Sequence, residues 1–381
     1  MKACRMMMVV LALSLVAAPA VMAETLKVGA ILAVTGPAAF LGGPESRTIE
    51  MLADEVNQAG GINGKKIELI IKDSGGSSEK AISFAKQLIE EERVVAVIGP
   101  STSGESMAVK KLFEESRTPL LSCAAAEVII NPVASYVFKT PQSDSFAVKR
   151  IFMTMQEMGI SKIAVLAGNT GFGKAGKEQL QAIAPTMGIE IVEAEVYDKD
   201  ANDLSAVVAK IKANQDVQAV VNWSIVPAQA IVAKNMRQAG WDAPLFQSHG
   251  FGNIKYVESA GVAAEGIIFP AGRLLVADKL PADHPQKQLL TKYKDDYEGK
   301  FQEQASTFGG HAYDAFVILM TAIENGGTDQ QSIRDEIEKI QGLPGTAGIF
   351  NFSATDHNGL DLDSFEMVTV KDGAFVPYEK K

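Results

Sequence analysis

Apolar, β-branched runs alternate with segments of helical periodicity through most of the chain. Runs at 26–33, 67–72, 94–99, 119–122, 162–167, 190–197, 219–223 and 267–270 predict strands. Amphipathic stretches at 45–59, 78–91, 143–158, 173–187, 201–213 and 228–239 predict helices between them, and two more follow at 285–298 and 304–325. Strands that are apolar on both faces need helices on both faces, so the pattern specifies an α/β fold with doubly wound parallel sheets.

Two breaks interrupt this rhythm. One is Phe138-Lys139-Thr140-Pro141-Gln142, where a strand pattern runs into a Pro-containing linker; the other is Pro270-Ala271-Gly272-Arg273. The last stretch, 349–377, reads as strands and turns. A middle domain flanked by the two parts of another fits this order, with residues 24–140 plus 272–347 forming one lobe and 141–271 plus 348–381 the other. Such a chain crosses between lobes more than once, which is a hinge arrangement.

The ends and the charge narrow the setting. Lys2 and Arg5 precede an apolar stretch at 6–18, and Val21-Met22-Ala23 offers a small-residue cleavage site before Glu24. Residues 1–23 therefore predict a cleavable secretory signal peptide and a periplasmic location. The apolar run is shorter than the ~20 residues a membrane span needs, and Pro19 follows it. Removal of this segment takes away two basic residues and no acidic one, moving the formal charge from −10 to −12. That balance disfavours nucleic acid and anionic membrane as partners. Cys123 is then the one remaining cysteine, so core burial rather than an internal disulfide must stabilise the fold.

The stretch Val94 to Ala108, VVAVIGPSTSGESMA, carries the first candidate chemistry. An apolar strand runs into a hydroxyl-rich loop, and Thr102 followed by Glu105 has capping-box spacing, which starts a helix near Ser103. Unpaired N–H groups and the positive dipole end would then face the loop, and a carboxylate or phosphate fits there. Ser101, Thr102 and Ser103 could add hydroxyl donors. The plainer reading is that these hydroxyls only cap the helix.

Several motifs, in order, resemble the periplasmic solute-binding proteins of the branched-chain amino acid type that serve ABC importers. They are KVGAILAVTGPAAFLG, NQAGGINGKKIELIIKD, AVIGPSTSG, TPLLSCAAAEVIINP, GFGKAG, MRQAGWDAPLF and GVAAEGIIFPAG. The resemblance implies two doubly wound lobes joined by three crossovers, with ligand in the cleft at the carboxyl ends of the strands. It assigns the ligand carboxylate to Ser103, preceded by Ser101 and Thr102, and a second loop to Ala124, Ala125 and Ala126, where Ala126 replaces the usual threonine. From the other lobe it brings Phe172, Trp223 and Ser224. It also puts His249 where amino acid binders place the glutamate that pairs with the ligand ammonium. Phe40 and Leu41 join this set, and Phe251 and Phe308 are further candidates to pack against an apolar body.

Together, Ala126 and His249 suggest a ligand with a carboxylate or similar head, no α-ammonium, and an apolar body that could be aromatic. A branched-chain or other aliphatic amino acid remains open, as does a periplasmic sensor for a signalling partner. The resemblance implies a small-molecule ligand and a membrane permease as partners; a monomer without cofactor or metal is expected.

Other motifs give weaker readings. Gly171-Phe172-Gly173-Lys174-Ala175-Gly176 satisfies GxGxxG, but four residues, 167–170, separate it from the strand where a dinucleotide site needs a tight turn. A triad of Ser103, His249 and Asp73 can be drawn on paper, without the nucleophile elbow of a hydrolase. His249, His284, His311 and His357 are far apart in sequence, and neither HExxH nor CxxC occurs.

Overall fold

The computed structural model describes residues 25–327 and 329–379; the expected signal peptide lies outside the described residues. The chain begins with β1 (Thr25–Leu32), α1 (Ala39–Gln58), β2 (Lys66–Asp73), α2 (Ser78–Lys86), β3 (Ala96–Ile98), α3 (Ser103–Ser116), β4 (Leu120–Ser122) and β5 (Val137–Lys139). These strands form a parallel sheet ordered β2-β1-β3-β4-β5. Alternate residues serve opposite faces, as the strand period requires. Val28, Ala30 and Leu32 enter the core shared with α1, whereas Ile31 and Val97 pack with Ala81 and Phe113 on the other face.

The second lobe follows with α4 (Asp144–Glu157), β6 (Lys162–Gly168), α5 (Gly171–Ile183), β7 (Glu190–Tyr197), α6 (Ser205–Ala213), β8 (Ala219–Trp223), α7 (Ala228–Gln238), β9 (Leu245–Gln247), α8 (Ile254–Ala260) and β10 (Ile268–Ala271). The chain then returns to the first lobe as α9 (Lys287–Phe301), α10 (Thr307–Glu324), α11 (Gln330–Ile337) and the hairpin β11 (Leu343–Pro344) and β12 (Ile349–Phe350). It ends in the second sheet as β13 (Glu366–Lys371) and β14 (Ala374–Pro377), giving the order β14-β13-β10-β9-β8-β6-β7. β13 pairs antiparallel with β10.

The third passage between lobes differs from the sequence pattern, which switches lobes at 347/348. β12 pairs with β11, and Phe350, Phe352 and Leu360 still belong to the first lobe's core, while Phe365 belongs to the second. The strand pattern concealed the boundary because hairpin and final strands are both apolar and short.

Helix α1 starts earlier than the amphipathic pattern indicates and contains Pro44. A proline lacks the N–H that would bond the carbonyl four residues back. The carbonyl freed in this way is that of Phe40, and it accepts from Asn253 Nδ2 of the other lobe at 2.9 Å. The break in helix bonding thus becomes a contact between lobes.

Buried polar side chains tie the crossings together. Gln142 Nε2 donates to Ala347 O at 2.8 Å and to Ser364 O at 3.2 Å. Asn358 Nδ2 donates to Lys139 O at 3.2 Å and Pro141 O at 2.9 Å, and Ser143 Oγ donates to Asn358 Oδ1 at 3.1 Å. A hinge held by such bonds keeps its backbone polar groups satisfied without a continuous sheet between the lobes.

Candidate functional site

The lobes meet at the carboxyl ends of their strands. Leu41, Ala125 and Phe308 of the first lobe pack into the apolar cluster of the second. An inner cavity of about 20 Å3 lies between them, walled by Leu41, Ser101, Ser103, Ala124, Ala125 and Pro141 on one side. Phe172, Ile225, His249 and Gly250 face these, and Cys123, Phe308 and His311 complete the wall. Phe172 and Ile225 also border an outer chamber of about 300 Å3, lined by Gly75, Gly76, Thr102, Gly104, Thr170, Gly171 and Lys199 among others.

Thr102 caps α3 as its spacing requires, with its Oγ1 accepting from Glu105 N at 3.3 Å. The three hydroxyls of the loop nevertheless have different tasks. Ser101 Oγ donates to Glu45 Oε2 and accepts from Ala33 N at 2.9 Å. Thr102 Oγ1 donates to Glu105 Oε2 at 2.6 Å. In this arrangement both hydroxyl protons are directed at carboxyl groups of the protein, whereas the sequence pattern leads one to expect them to donate to a ligand. Ser103 Oγ accepts from Ala126 N at 3.3 Å, so its own proton is left to donate into the cavity beside the start of α3. Burial pushes the Glu45 carboxyl up to about 8 despite the Ser101 bond.

The facing wall is aromatic. The His249 ring meets Phe172, Trp223 and Phe365 edge-on, with centroids 5.3, 5.6 and 5.6 Å away. Neither of its nitrogens has a hydrogen-bond partner, and the same holds for Nδ1 of His311. Burial drives His249 well below the ordinary imidazole value and His311 down to about 3; the nearby Lys139 charge pushes both the same way. Both rings are neutral at physiological pH. Lys139 is itself fully buried, donating from Nζ to Pro141 O at 2.7 Å.

Of the residues singled out in the sequence, Leu41, Ser101, Ser103, Ala124, Ala125, Phe172 and His249 share the inner cavity, and Thr102 borders the outer chamber. Ala126 supports Ser103 from behind. Trp223 was expected at the cleft but is wholly buried behind Phe172 and His249. Ser224 Oγ accepts from Val226 N at 3.3 Å inside the second lobe. Phe40 lies at the junction of the lobes against Tyr256, 5.2 Å between centroids, and Phe251 is core.

His311 is the residue that sequence reasoning missed. It lies far from His249 in the chain, yet α10 carries it to the same cavity. A histidine one turn after Phe308 in the mostly apolar helix start TFGGHAYDAF was the available signal. Among the described residues no three His, Cys, Asp or Glu side chains gather in a way that could hold a metal ion. The paper triad does not form: the imidazole of His249 has no bonded partner, and Asp73 accepts from Thr35 Oγ1 at 2.6 Å.

The glycines of GFGKAG have packing reasons. A Cβ on Gly171 would stand 2.7 Å from Gly104 Cα of the other lobe, one on Gly173 1.9 Å from Gly168 O, and one on Gly176 2.0 Å from the Trp223 indole nitrogen. Gly104 and Gly171 let the starts of α3 and α5 touch across the cleft, which a side chain on Gly171 would prevent.

Known proteins share this architecture. An extracellular ligand-binding receptor from Rhodopseudomonas palustris HaA2 superposes with a TM-score of 0.87 at 27% identity, covering 93% of this chain and 100% of that one. A branched-chain amino acid transporter substrate-binding protein from Streptococcus pneumoniae, solved in complex with isoleucine, gives 0.81 at 26% identity over 92% and 98% of the two chains. The leucine-, isoleucine-, valine-, threonine- and alanine-binding protein of Pseudomonas aeruginosa is 25% identical over 80% of this chain and 79% of its own length. The family model described as "Periplasmic binding protein" matches residues 25–374. With two α/β lobes closed on a shared cavity and a family match over nearly the whole chain, the protein belongs to the periplasmic binding protein family.

Proposed function

We propose that this protein is an exported, non-catalytic receptor that holds a small carboxylate between its lobes and presents it to the membrane permease of an ABC importer. The observation that carries this reading is the composition of the inner wall: two neutral imidazoles and no carboxylate side chain. An ammonium group buried there would lack a charge to balance it, and Lys139 nearby makes the site less hospitable still. A carboxylate suits the Ser103 hydroxyl and the N–H groups at the start of α3.

Ligand first meets the hydroxyl-rich wall of the first lobe, and closure then adds Phe172, Ile225 and His249. Only contacts made in the closed state and absent from the open one can favour closure. The apolar body of the ligand rests against Leu41, Phe172 and Phe308, surfaces that accept aliphatic or aromatic groups.

A second reading, an aliphatic amino acid, is favoured by the ligands named for the Pseudomonas and Streptococcus relatives and by Glu45, a carboxyl directly behind Ser101. Thermal shifts of the mature protein separate the two, since a ligand that binds the native state raises its melting temperature. A rise with aliphatic or aromatic carboxylates and none with leucine, isoleucine or valine is expected. A rise with those amino acids alone overturns the carboxylate reading. His249→Glu is expected to weaken carboxylates and to admit amino acids.

A further inference from the structure

We infer that His249 and His311 together form a subsite for an uncharged hydroxyl or carbonyl group next to the ligand carboxylate, so that the ligand is an alpha-hydroxy or alpha-keto carboxylate. This rests on the carboxylate reading above and sharpens it.

Each lobe contributes one ring. His311 comes from α10 of the first lobe and His249 from the turn after β9 of the second, and both border the same inner cavity. Each is only 6% exposed, yet three of their four ring nitrogens are buried without a hydrogen-bond partner. Buried polar atoms in native folds nearly always have partners, so three in one cavity point to a group supplied from outside.

The chemistry of that group follows from the rings. A neutral imidazole carries one N–H donor and one bare nitrogen acceptor. A hydroxyl matches both, and a keto oxygen accepts from the donors. A second carboxylate would be buried among Phe172, Trp223 and Phe365 with neither imidazole carrying a charge, and an ammonium would face the Lys139 field. The wall that holds both imidazoles also holds Ser103, Ala124 and Ala125. The polar group that reaches the imidazoles must therefore sit close to the carboxylate on the ligand skeleton, which places it on the alpha carbon. Because the two rings belong to different lobes, a ligand that bridges them favours the closed form, whereas one lacking the alpha oxygen leaves both unpaired.

Titration calorimetry on the mature protein with matched skeletons tests this. The probes are isocaproate, alpha-ketoisocaproate, alpha-hydroxyisocaproate and leucine, with phenylpropionate, phenylpyruvate, phenyllactate and phenylalanine as the aromatic set. Within at least one set the keto or hydroxy acid is expected to bind about tenfold or more tighter than the plain acid. His311→Phe is expected to remove that difference, the keto or hydroxy acid losing about tenfold more affinity than the plain acid. Should that variant fold poorly, the imidazole nitrogen resonances of the unmodified protein supply a second readout, and they are expected to move on adding the keto or hydroxy acid but not the plain acid. Equal binding of plain and substituted acids, or unmoved imidazole resonances, overturns the inference and leaves the carboxylate reading standing. Preference for leucine or phenylalanine, or no binding in either set, overturns both.

Discussion

The first lobe meets the cleft with hydroxyls, helix N–H groups and small side chains beside Phe308 and His311 of α10, whereas the second offers no hydroxyl to the inner cavity and meets it with Ile225, Phe172, His249 and, behind them, Trp223. On the first side most polar groups are already paired within the protein, as Ser101 with Glu45 and Thr102 with Glu105 show. On the second side, the imidazole is boxed in by carbon and left without a partner. The contrast separates two tasks. Ser103 is held by Ala126 N of its own lobe and so keeps its place whether or not the lobes are together, while the second lobe's rings contribute only when they are brought up to the ligand. On the proposed reading, head-group capture belongs to the first lobe and discrimination to rings that both lobes bring together on closure.

Blocking their approach should have the largest effect. A side chain on Gly171 collides with Gly104 Cα, since its Cβ alone would lie at 2.7 Å. In Gly171→Val the lobes cannot close fully, and ligand affinity is expected to fall by about 100-fold or more, because closure is what adds the second wall. Small-angle scattering should show no compaction on adding ligand, with thermal stability close to that of the unmodified protein. Compaction and affinity that survive the substitution would show that the glycine contact is incidental to closure.

Ser103→Ala strikes the first wall alone. The lost bond to a charged ligand group should weaken binding by about 1.5 to 3 kcal/mol, measured by calorimetry, while ligand-induced compaction persists at saturating concentration. If affinity is unchanged, the carboxylate does not sit on the first lobe.

Much of this architecture is legible in the chain because strands buried on both faces announce themselves. Lys162–Gly168 and Ala219–Trp223 coincide with such apolar runs, the edge strand Glu190–Tyr197 shows through its β-branched residues, and Thr102 with Glu105 marks the start of α3. The cleft was legible only on one side. Ser103 at the start of α3 and Ala124 just after β4 follow strand ends closely enough to be placed at the cleft, but His311 reaches the cavity through α10, most of whose other buried residues are ordinary core. Trp223 illustrates the opposite error: a large aromatic at a strand end looks like a ligand contact, yet Gly176 gives its indole a place within the lobe. Neither packing can be deduced from periodicity, since both depend on which elements lie beside each other. Asn253 bonding the carbonyl freed by Pro44 is a third case of the same kind.

Glu45 tests whether the first wall's network is indeed settled. Burial raises its carboxyl from 4.5 to about 8, so between those values the folded state holds a proton that the unfolded chain has released. Stability from this group is complete below the unfolded value and is lost as pH rises through the folded one, with a net change on the order of 1 kcal/mol once the fold relaxes around the charge. Glu45→Gln should therefore melt with a flatter pH profile than the unmodified protein between pH 5 and 8, roughly the window set by those two values. Parallel profiles would mean that Glu45 is ionised and already balanced, which would strengthen the amino acid reading.

The smallest effect belongs to the rim of the cleft, where Lys255 of the second lobe reaches Glu303 of the first at 3.4 Å and its ammonium lies 6.0 Å from the Phe40 ring centroid. Both side chains of the pair are more than a third exposed, so water and salt screen their attraction, and such pairs typically contribute about 0 to 1 kcal/mol. Lys255→Ala should weaken ligand binding by no more than about threefold at low salt and by less as ionic strength rises. Its neighbour Asn253 donates to Phe40 O across the same rim, so Asn253→Ala, which strips a partner from a helix carbonyl that Pro44 cannot satisfy, should cost more than the ion pair does. Measured side by side in calorimetry, the two variants rank a neutral partly buried bond against an exposed ionic one at a single interface. The reverse order would place electrostatic attraction, rather than backbone satisfaction, in control of how the two unlike walls come together.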